Sequence, residues 1–157
     1  MVTNRISQGD PLSMIFYILY NADLLEIINN LLSEEIIGYV DNIAIIVIGE
    51  NFKETTNRIK SLMTKEGGRL QWSIDHNSCF KVTKFVIVHF SKKTIPDPDS
   101  DNGRMPLPKP TLIIENQLVQ EVKHFRYLGI IIDTQLKWKE QAQRATANAT
   151  KWILQLC

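Results

Sequence analysis

The chain has 157 residues, 44% of them hydrophobic, so it is long enough to bury one core and short for two domains of ordinary size. Its 18 basic and 17 acidic residues leave a formal charge of +1, without the basic excess typical of a polymerase that binds nucleic acid through charge. Two distant cysteines suggest neither a disulfide scaffold nor a zinc site, and no apolar run reaches the roughly 18 residues of a membrane span. We therefore expect an intracellular protein of the nucleus or cytoplasm, neither secreted nor membrane-bound.

The first predicted element is a helix that begins near Pro11. Asp10 suits the N-cap, and Pro11 suits the first helical position, where the missing amide hydrogen has no cost. Apolar residues then recur at close to helical spacing, at Leu12, Ile15, Phe16, Leu19, Leu24, Ile27, Ile28 and Leu31. We expect one face of this helix to pack on the strands that follow it.

Two β-branched runs flank the polar pair Asp41-Asn42. Val and Ile favour the extended backbone, and short polar side chains tolerate a two-residue hairpin turn. The pattern predicts a hairpin with an Asp41-Asn42 turn and Asp41 at its tip. The same pair is also typical of an ordinary surface turn, because Asp and Asn favour turns for conformational reasons alone.

The middle of the chain predicts a helix, a strand and a loop. A helix is expected from Asn51 to Met63, ended by Gly67-Gly68, and the mixed pattern of 70–80 leaves its structure open. Residues 84–90 alternate in the way typical of a strand. Residues 91–110 hold five of the six prolines, so we expect a mobile loop there.

The last third predicts strands and a final helix. A small hairpin is expected around Glu115-Asn116-Gln117, and a single strand over 124–133. From residue 135 to 157 the pattern is helical, with a local charge of +3. The order of elements indicates an α+β protein with a mainly antiparallel sheet.

Four short segments, in this order, resemble the palm of reverse transcriptases of the non-LTR (LINE-like) retrotransposon group. They are Gln8-Gly9-Asp10-Pro11-Leu12-Ser13, Tyr39-Val40-Asp41, Lys84, and Phe125-Arg126-Tyr127-Leu128-Gly129. The resemblance implies an antiparallel polymerase palm-like sheet packed on helices, with residues 1–133 as a truncated palm and 134–157 as the start of the thumb helix.

The resemblance also implies RNA-directed DNA polymerase chemistry, with an RNA template, a DNA primer, a deoxynucleoside triphosphate and Mg²⁺ or Mn²⁺. It makes Asp41 a catalytic metal ligand, places Asn42 where a second aspartate is expected, and places Lys84 near the triphosphate. The implied substrate contacts are Gln8, Gly9, Tyr39, Tyr127, Leu128 and Gly129.

Two departures from the family pattern make us expect that this chain alone is inactive. Asn42 offers an amide in place of the second carboxylate, and residues 1–9 contain no carboxylate to serve as the earlier catalytic aspartate. Two closely spaced divalent ions need several anionic oxygen ligands.

Alternative interpretations stay open. Lys84 is also typical of a lysine that protects a strand edge, and Gly129 of a core strand that packs closely. The whole chain also fits a non-catalytic nucleic-acid or protein interaction remnant, or a fragment that forms no stable fold because a sheet edge is exposed.

Overall fold

The computed structural model describes residues 11–26, 33–99 and 102–156. Over these residues the chain is a mixed α+β protein with four α-helices and ten short strands, which confirms the predicted class. The strands in these ranges pair as five separate two-stranded sheets, four antiparallel and one parallel. The chain divides into two compact units, residues 1–80 and residues 81–157.

The first unit begins with a helix followed by a hairpin. Helix α1 spans Pro11–Glu26, and strands β1 (Glu34–Tyr39) and β2 (Asn42–Val47) pair antiparallel. The helix predicted from Pro11 is present through Glu26, and its predicted positions 27–31 lie outside the described residues. The predicted hairpin is confirmed.

Two further helices complete the first unit. Helix α2 spans Phe52–Thr64 and α3 spans Arg69–Asp75. The Asn51 side chain caps α2 by accepting a hydrogen bond of 2.8 Å from the backbone N–H of Glu54. Gly67 between the two helices has a φ of +66°, a conformation that glycine adopts without strain. The helix predicted over 51–63 and its interruption at the double glycine are therefore confirmed.

A cluster of charged side chains joins the hairpin to α2. The Arg58 Nε lies 3.1 Å from Oε1 of buried Glu34, and the Arg58 Nη1 donates to the Ile48 carbonyl over 3.0 Å. Arg69 is only 2% exposed and donates from Nη1 to the Leu62 carbonyl. Burial lowers the pKa of Arg69, and the negative charge of Glu34 opposes that shift. The Arg58 contacts hold the start of β1 and the residue after β2 against α2, and the Arg69 contact joins α3 to α2.

Each unit has its own apolar core. Among the residues that the structure describes, the buried apolar side chains of the first unit are Leu24, Leu62, Met63 and Trp72. In the second unit they are Val82, Ile87, Leu112, Ile114 and Val119. Trp72 also stacks on His76 with ring centroids 4.3 Å apart, which gives both residues a structural role.

The second unit consists of short strands and one long helix. Its 3₁₀ turn spans Val82–Lys84, and its helix α4 spans Lys139–Leu156. Its strands are β3 (Val86–Ile87), β4 (Thr94–Pro96), β5 (Arg104–Pro106), β6 (Ile113–Ile114), β7 (Gln117–Leu118), β8 (Gln120–Glu121), β9 (His124–Tyr127) and β10 (Ile130–Asp133). The small hairpin predicted around residues 115–117 is confirmed as β6 and β7, and the C-terminal helix is confirmed as α4.

Three predictions for this unit are wrong in detail. The strand predicted over 84–90 is reduced to Val86–Ile87, because residues 82–84 close a 3₁₀ turn with Phe85 N–H bonded to the Val82 carbonyl. The loop predicted over 91–110 contains the β4–β5 hairpin, in which Arg104 donates to the side chain and the carbonyl of Thr94. The single strand predicted over 124–133 is a hairpin that reverses at Leu128-Gly129.

No helix in the described ranges is both long enough and apolar enough to cross a membrane.

Candidate functional site

The tip of the β1–β2 hairpin carries Asp41. Tyr39 lies opposite Asn42 in the ladder, so the two turn residues are Val40 and Asp41. The predicted Asp41-Asn42 turn is therefore wrong by one position. Val40 has a φ of +52°, whereas the φ of Asp41 is not positive. A positive φ at the first turn residue alone is the pattern of a type II′ turn. Glycine normally occupies the first position of such a turn, so a β-branched residue there is strained.

Helix α1 supports this turn at two points. The side chain of Asn21, only 5% exposed, donates from Nδ2 to the Val40 carbonyl over 3.2 Å. At Gly38, a Cβ atom added to the backbone would lie 2.8 Å from Cδ2 of Leu25. The helix therefore packs directly on the strand that leads to Asp41, and these contacts stabilise a turn that local sequence preference does not favour.

Asp41 and Asn42 are both exposed and contact each other. The Asn42 Nδ2 donates to Oδ1 of Asp41 over 3.0 Å. The amide nitrogen, and not the amide oxygen, thus faces the carboxylate. This arrangement presents one anionic side chain at the tip, with Asn42 acting as its hydrogen-bond donor.

Metal binding at Asp41 stays a prediction. Within residues 11–26, 33–99 and 102–156, no group of three or more His, Cys, Asp or Glu side chains is placed to hold a metal ion. Asp41, Asn42 and Tyr39 come together at the end of the first hairpin, and Tyr39 is 55% exposed. Gln8 and Gly9, predicted to contact substrate, lie outside the described residues.

Lys84 lies in the second unit, at the end of the 3₁₀ turn, and is exposed. Its backbone N–H bonds to the Lys81 carbonyl over 2.8 Å. The alternative interpretation of Lys84 as an edge-protecting strand residue is wrong, because Lys84 is not part of a strand. Its role near a triphosphate stays a prediction.

Tyr127, Leu128 and Gly129 form the end of the β9–β10 hairpin. Leu128 and Gly129 both have positive φ, +48° and +89°, which is the pattern of a type I′ turn. The Gly129 carbonyl accepts a hydrogen bond of 2.9 Å from Arg144 Nη1, and Gln141 Oε1 accepts one from the Ile131 N–H. Helix α4 thus holds this turn, and the alternative of a continuous core strand is wrong.

Asp133 connects this hairpin to α4. Its Oδ1 accepts from the backbone N–H groups of Gln135 and Lys137, and its Oδ2 accepts from that of Trp138 over 2.8 Å. These backbone donors, with Lys137 contributing most, lower the pKa of Asp133. Beside this segment lies a depression of about 410 Å³ lined by Lys92, Gln135, Leu136 and Lys137.

The charges of the two units have opposite sign. Residues 1–80 contain six basic and ten acidic residues, a formal charge of −4. Residues 81–157 contain twelve basic and seven acidic residues, a formal charge of +5. The near-neutral total therefore conceals a second unit with a clear excess of basic residues.

No protein-family model, curated protein or solved structure matches this chain. The resemblance to reverse transcriptases consequently depends on the short motifs alone, and its functional consequences are proposals.

Sequence reasoning missed Asn21 and Arg144 as residues that position the two turns. Asn21 had a visible signal, since it interrupts the run of apolar and aromatic residues that begins at Met14. Arg144 had none, because one arginine on an exposed helix is typical of a solvated surface.

Proposed function

We propose that this chain derives from the palm and early thumb of a non-LTR retrotransposon reverse transcriptase, and that by itself it binds RNA–DNA duplex without extending the primer. The observation that carries the proposal is the exposed carboxylate of Asp41 on a hairpin tip supported by buried Asn21. A carboxylate held on a rigid turn in a Tyr-Val-Asp sequence is what the polymerase resemblance requires of this position.

The chemistry of nucleotide transfer argues against catalysis by this chain alone. Polymerases use two divalent ions about 3.5–4 Å apart, and these ions need several anionic oxygens because their positive charges repel each other. At this tip Asp41 supplies one carboxylate, while Asn42 directs an N–H donor toward it. A donor in that position competes with a cation for the same oxygen.

The basic second unit supports duplex binding. Its formal charge of +5 favours the phosphate backbone, and Lys92 and Lys137 line one depression beside the start of α4. Phosphate contacts supply most of the affinity of non-specific nucleic-acid binding, and each contact steepens its dependence on salt.

Binding is tested with a fluorescent RNA–DNA primer–template and paired charge reversals. We expect Lys92→Glu with Lys137→Glu to weaken binding about tenfold and to reduce the slope of log K against log salt by about 2. The control, Lys53→Glu with Lys60→Glu, changes the net charge equally on exposed lysines of the acidic first unit, and should leave the affinity within about twofold. Equal effects of the two pairs, or no binding at low salt, would contradict the proposal.

Primer extension tests the second part. With Mg²⁺ or Mn²⁺, the unmodified chain should yield no extended primer. Extension that disappears in Asp41→Ala would show that the chain is catalytic and that the lone carboxylate suffices.

A further inference from the structure

The first half of α1 exposes large apolar side chains on most sides of the helix. Six of them are between 48% and 66% exposed: Leu12, Met14, Ile15, Phe16, Ile18 and Leu19. We name this set the α1 apolar surface. Contiguous exposed apolar patches are rare on isolated proteins and mark interaction sites.

The end of α4 exposes a second apolar group. Trp152, Ile153 and Leu154 are 67%, 61% and 73% exposed. We name these three residues the α4 apolar end. A large exposed tryptophan beside two aliphatic side chains is the kind of residue set that dominates the energy of protein interfaces.

The two helices carry complementary charge. Both charged residues of α1, Asp23 and Glu26, are acidic and lie after the α1 apolar surface. The charged residues of α4 are Lys139, Glu140, Arg144 and Lys151, which leaves a net charge of +2 before the α4 apolar end. Complementary charge of this kind selects and orients a partner helix.

The spacing of these features matches in one orientation only. From Phe16 to Asp23 and Glu26 the rise along α1 is about 10–15 Å, and from Trp152 back to Arg144, two steps of four residues along the same side of α4, it is about 12 Å. Apolar side chains therefore face apolar side chains, and acids face Arg144, when the helices run antiparallel. In the parallel orientation, alignment of the apolar groups leaves the charges at opposite ends.

We propose that the α1 apolar surface binds α4 of a second copy of this chain in the antiparallel orientation. Arg144 donates one N–H to the Gly129 carbonyl, and a guanidinium has five N–H donors, so it can also reach the acids of the partner copy. The contact joins the α1 apolar surface of one copy to α4 of another, and every copy carries both of these surfaces.

Sedimentation of the full chain tests this proposal. At tens of micromolar the chain should have a mean mass above 18.1 kDa that rises with concentration. Leu19→Glu on α1 and Trp152→Glu on α4 should each restore the monomer mass, because a charge is then buried in the contact. Ile74→Glu and Leu118→Glu are matched controls at side chains 67% and 68% exposed, and should leave the association unchanged.

A mixing experiment tests the charge pairing. Glu26→Arg and Arg144→Glu should each weaken self-association about tenfold, since attraction is replaced by repulsion. An equimolar mixture of the two variants should associate more strongly than either variant alone, because the arginine introduced on α1 of one variant then meets the glutamate introduced on α4 of the other. Circular dichroism checks that each variant keeps its helices.

Several results would overturn the proposal. These are a monomer at every concentration, association that persists in Leu19→Glu or in Trp152→Glu, and a mixture that behaves as the average of its two variants.

Discussion

At the scale of single residues, Asn21 links helix α1 to the turn that carries Asp41. Its buried amide satisfies the carbonyl of Val40, a backbone group at a strained position. A partly buried carbonyl left without a donor destabilises the fold, so the Asn21 side chain supports the geometry of the tip although it lies 19 residues away in the sequence.

The contribution of Asn21 is measurable with a matched pair of variants. We expect Asn21→Ala to lower the free energy of unfolding by about 1–2 kcal/mol relative to Asn57→Ala. Asn57 is an exposed position on α2, so its substitution corrects for the helix propensity gained with alanine. Urea unfolding followed by circular dichroism supplies the values, and equal values for the two variants would show that the Asn21 contact contributes nothing.

The lowered pKa of Asp133 predicts that the free energy of unfolding depends on pH. Its backbone donors lower the pKa of the folded carboxyl below the unfolded value of about 3.9. Its stabilising effect is therefore fully present above about pH 4 and is lost as pH falls through the lower folded pKa. The free energy of unfolding of Asp133→Asn should be below that of the parent at pH 7, and the two should converge in acid.

Unfolding in urea at several pH values measures this difference, and carbon-detected NMR reports the titration of Asp133 itself. A difference between parent and variant that is as large at pH 3 as at pH 7 would contradict the assignment, as would a midpoint at or above the ordinary aspartate value.

At the scale of elements, the β1–β2 hairpin has a turn that its own sequence disfavours. Val40 takes a positive φ that costs a non-glycine residue about 1–2 kcal/mol. We expect Val40→Gly to change the free energy of unfolding by less than about 0.5 kcal/mol, because relief of strain offsets the greater flexibility of the unfolded chain and the lost side-chain contacts.

Val47→Gly is the control for this prediction. Val47 is a half-buried residue within β2, where glycine removes packing and adds entropy to the unfolded chain, so its substitution should lower the free energy of unfolding by about 1–2 kcal/mol. If chemical unfolding showed that Val40→Gly and Val47→Gly lower the free energy of unfolding equally, the strain assigned to Val40 would not exist.

The β9–β10 hairpin shows where local pattern was insufficient. Residues 124–133 have the pattern of one strand because apolar and aromatic side chains continue across the reversal. The type I′ turn needs positive φ at two successive residues, and Leu128 is an unusual choice for the first. Hydrogen bonds to Arg144 and Gln141 on α4 support the reversal, and these side chains lie 15 and 10 residues along the chain from the backbone groups they bind.

At the scale of the whole molecule, the distribution of charge matters more than its sum. A formal charge of +1 argued against nucleic-acid binding, whereas the division into units of −4 and +5 shows a basic part that the total conceals. The proposed duplex binding belongs to the basic unit. The proposed self-association pairs α1, an acidic and apolar helix in the first unit of one copy, with α4, a basic helix in the second unit of another copy.

The amino-acid sequence by itself determined the elements whose signals are local. The Asn51 cap and the double glycine delimit α2, and the β-branched runs on either side of residue 41 define a hairpin. Only the tertiary structure decided that Val40 and Asp41 form the turn, that residues 124–133 reverse, and that Asn21 and Arg144 hold the two tips. The physical reason is that strand register and strained turns depend on contacts with helices distant in sequence, whose free energies outweigh local preference.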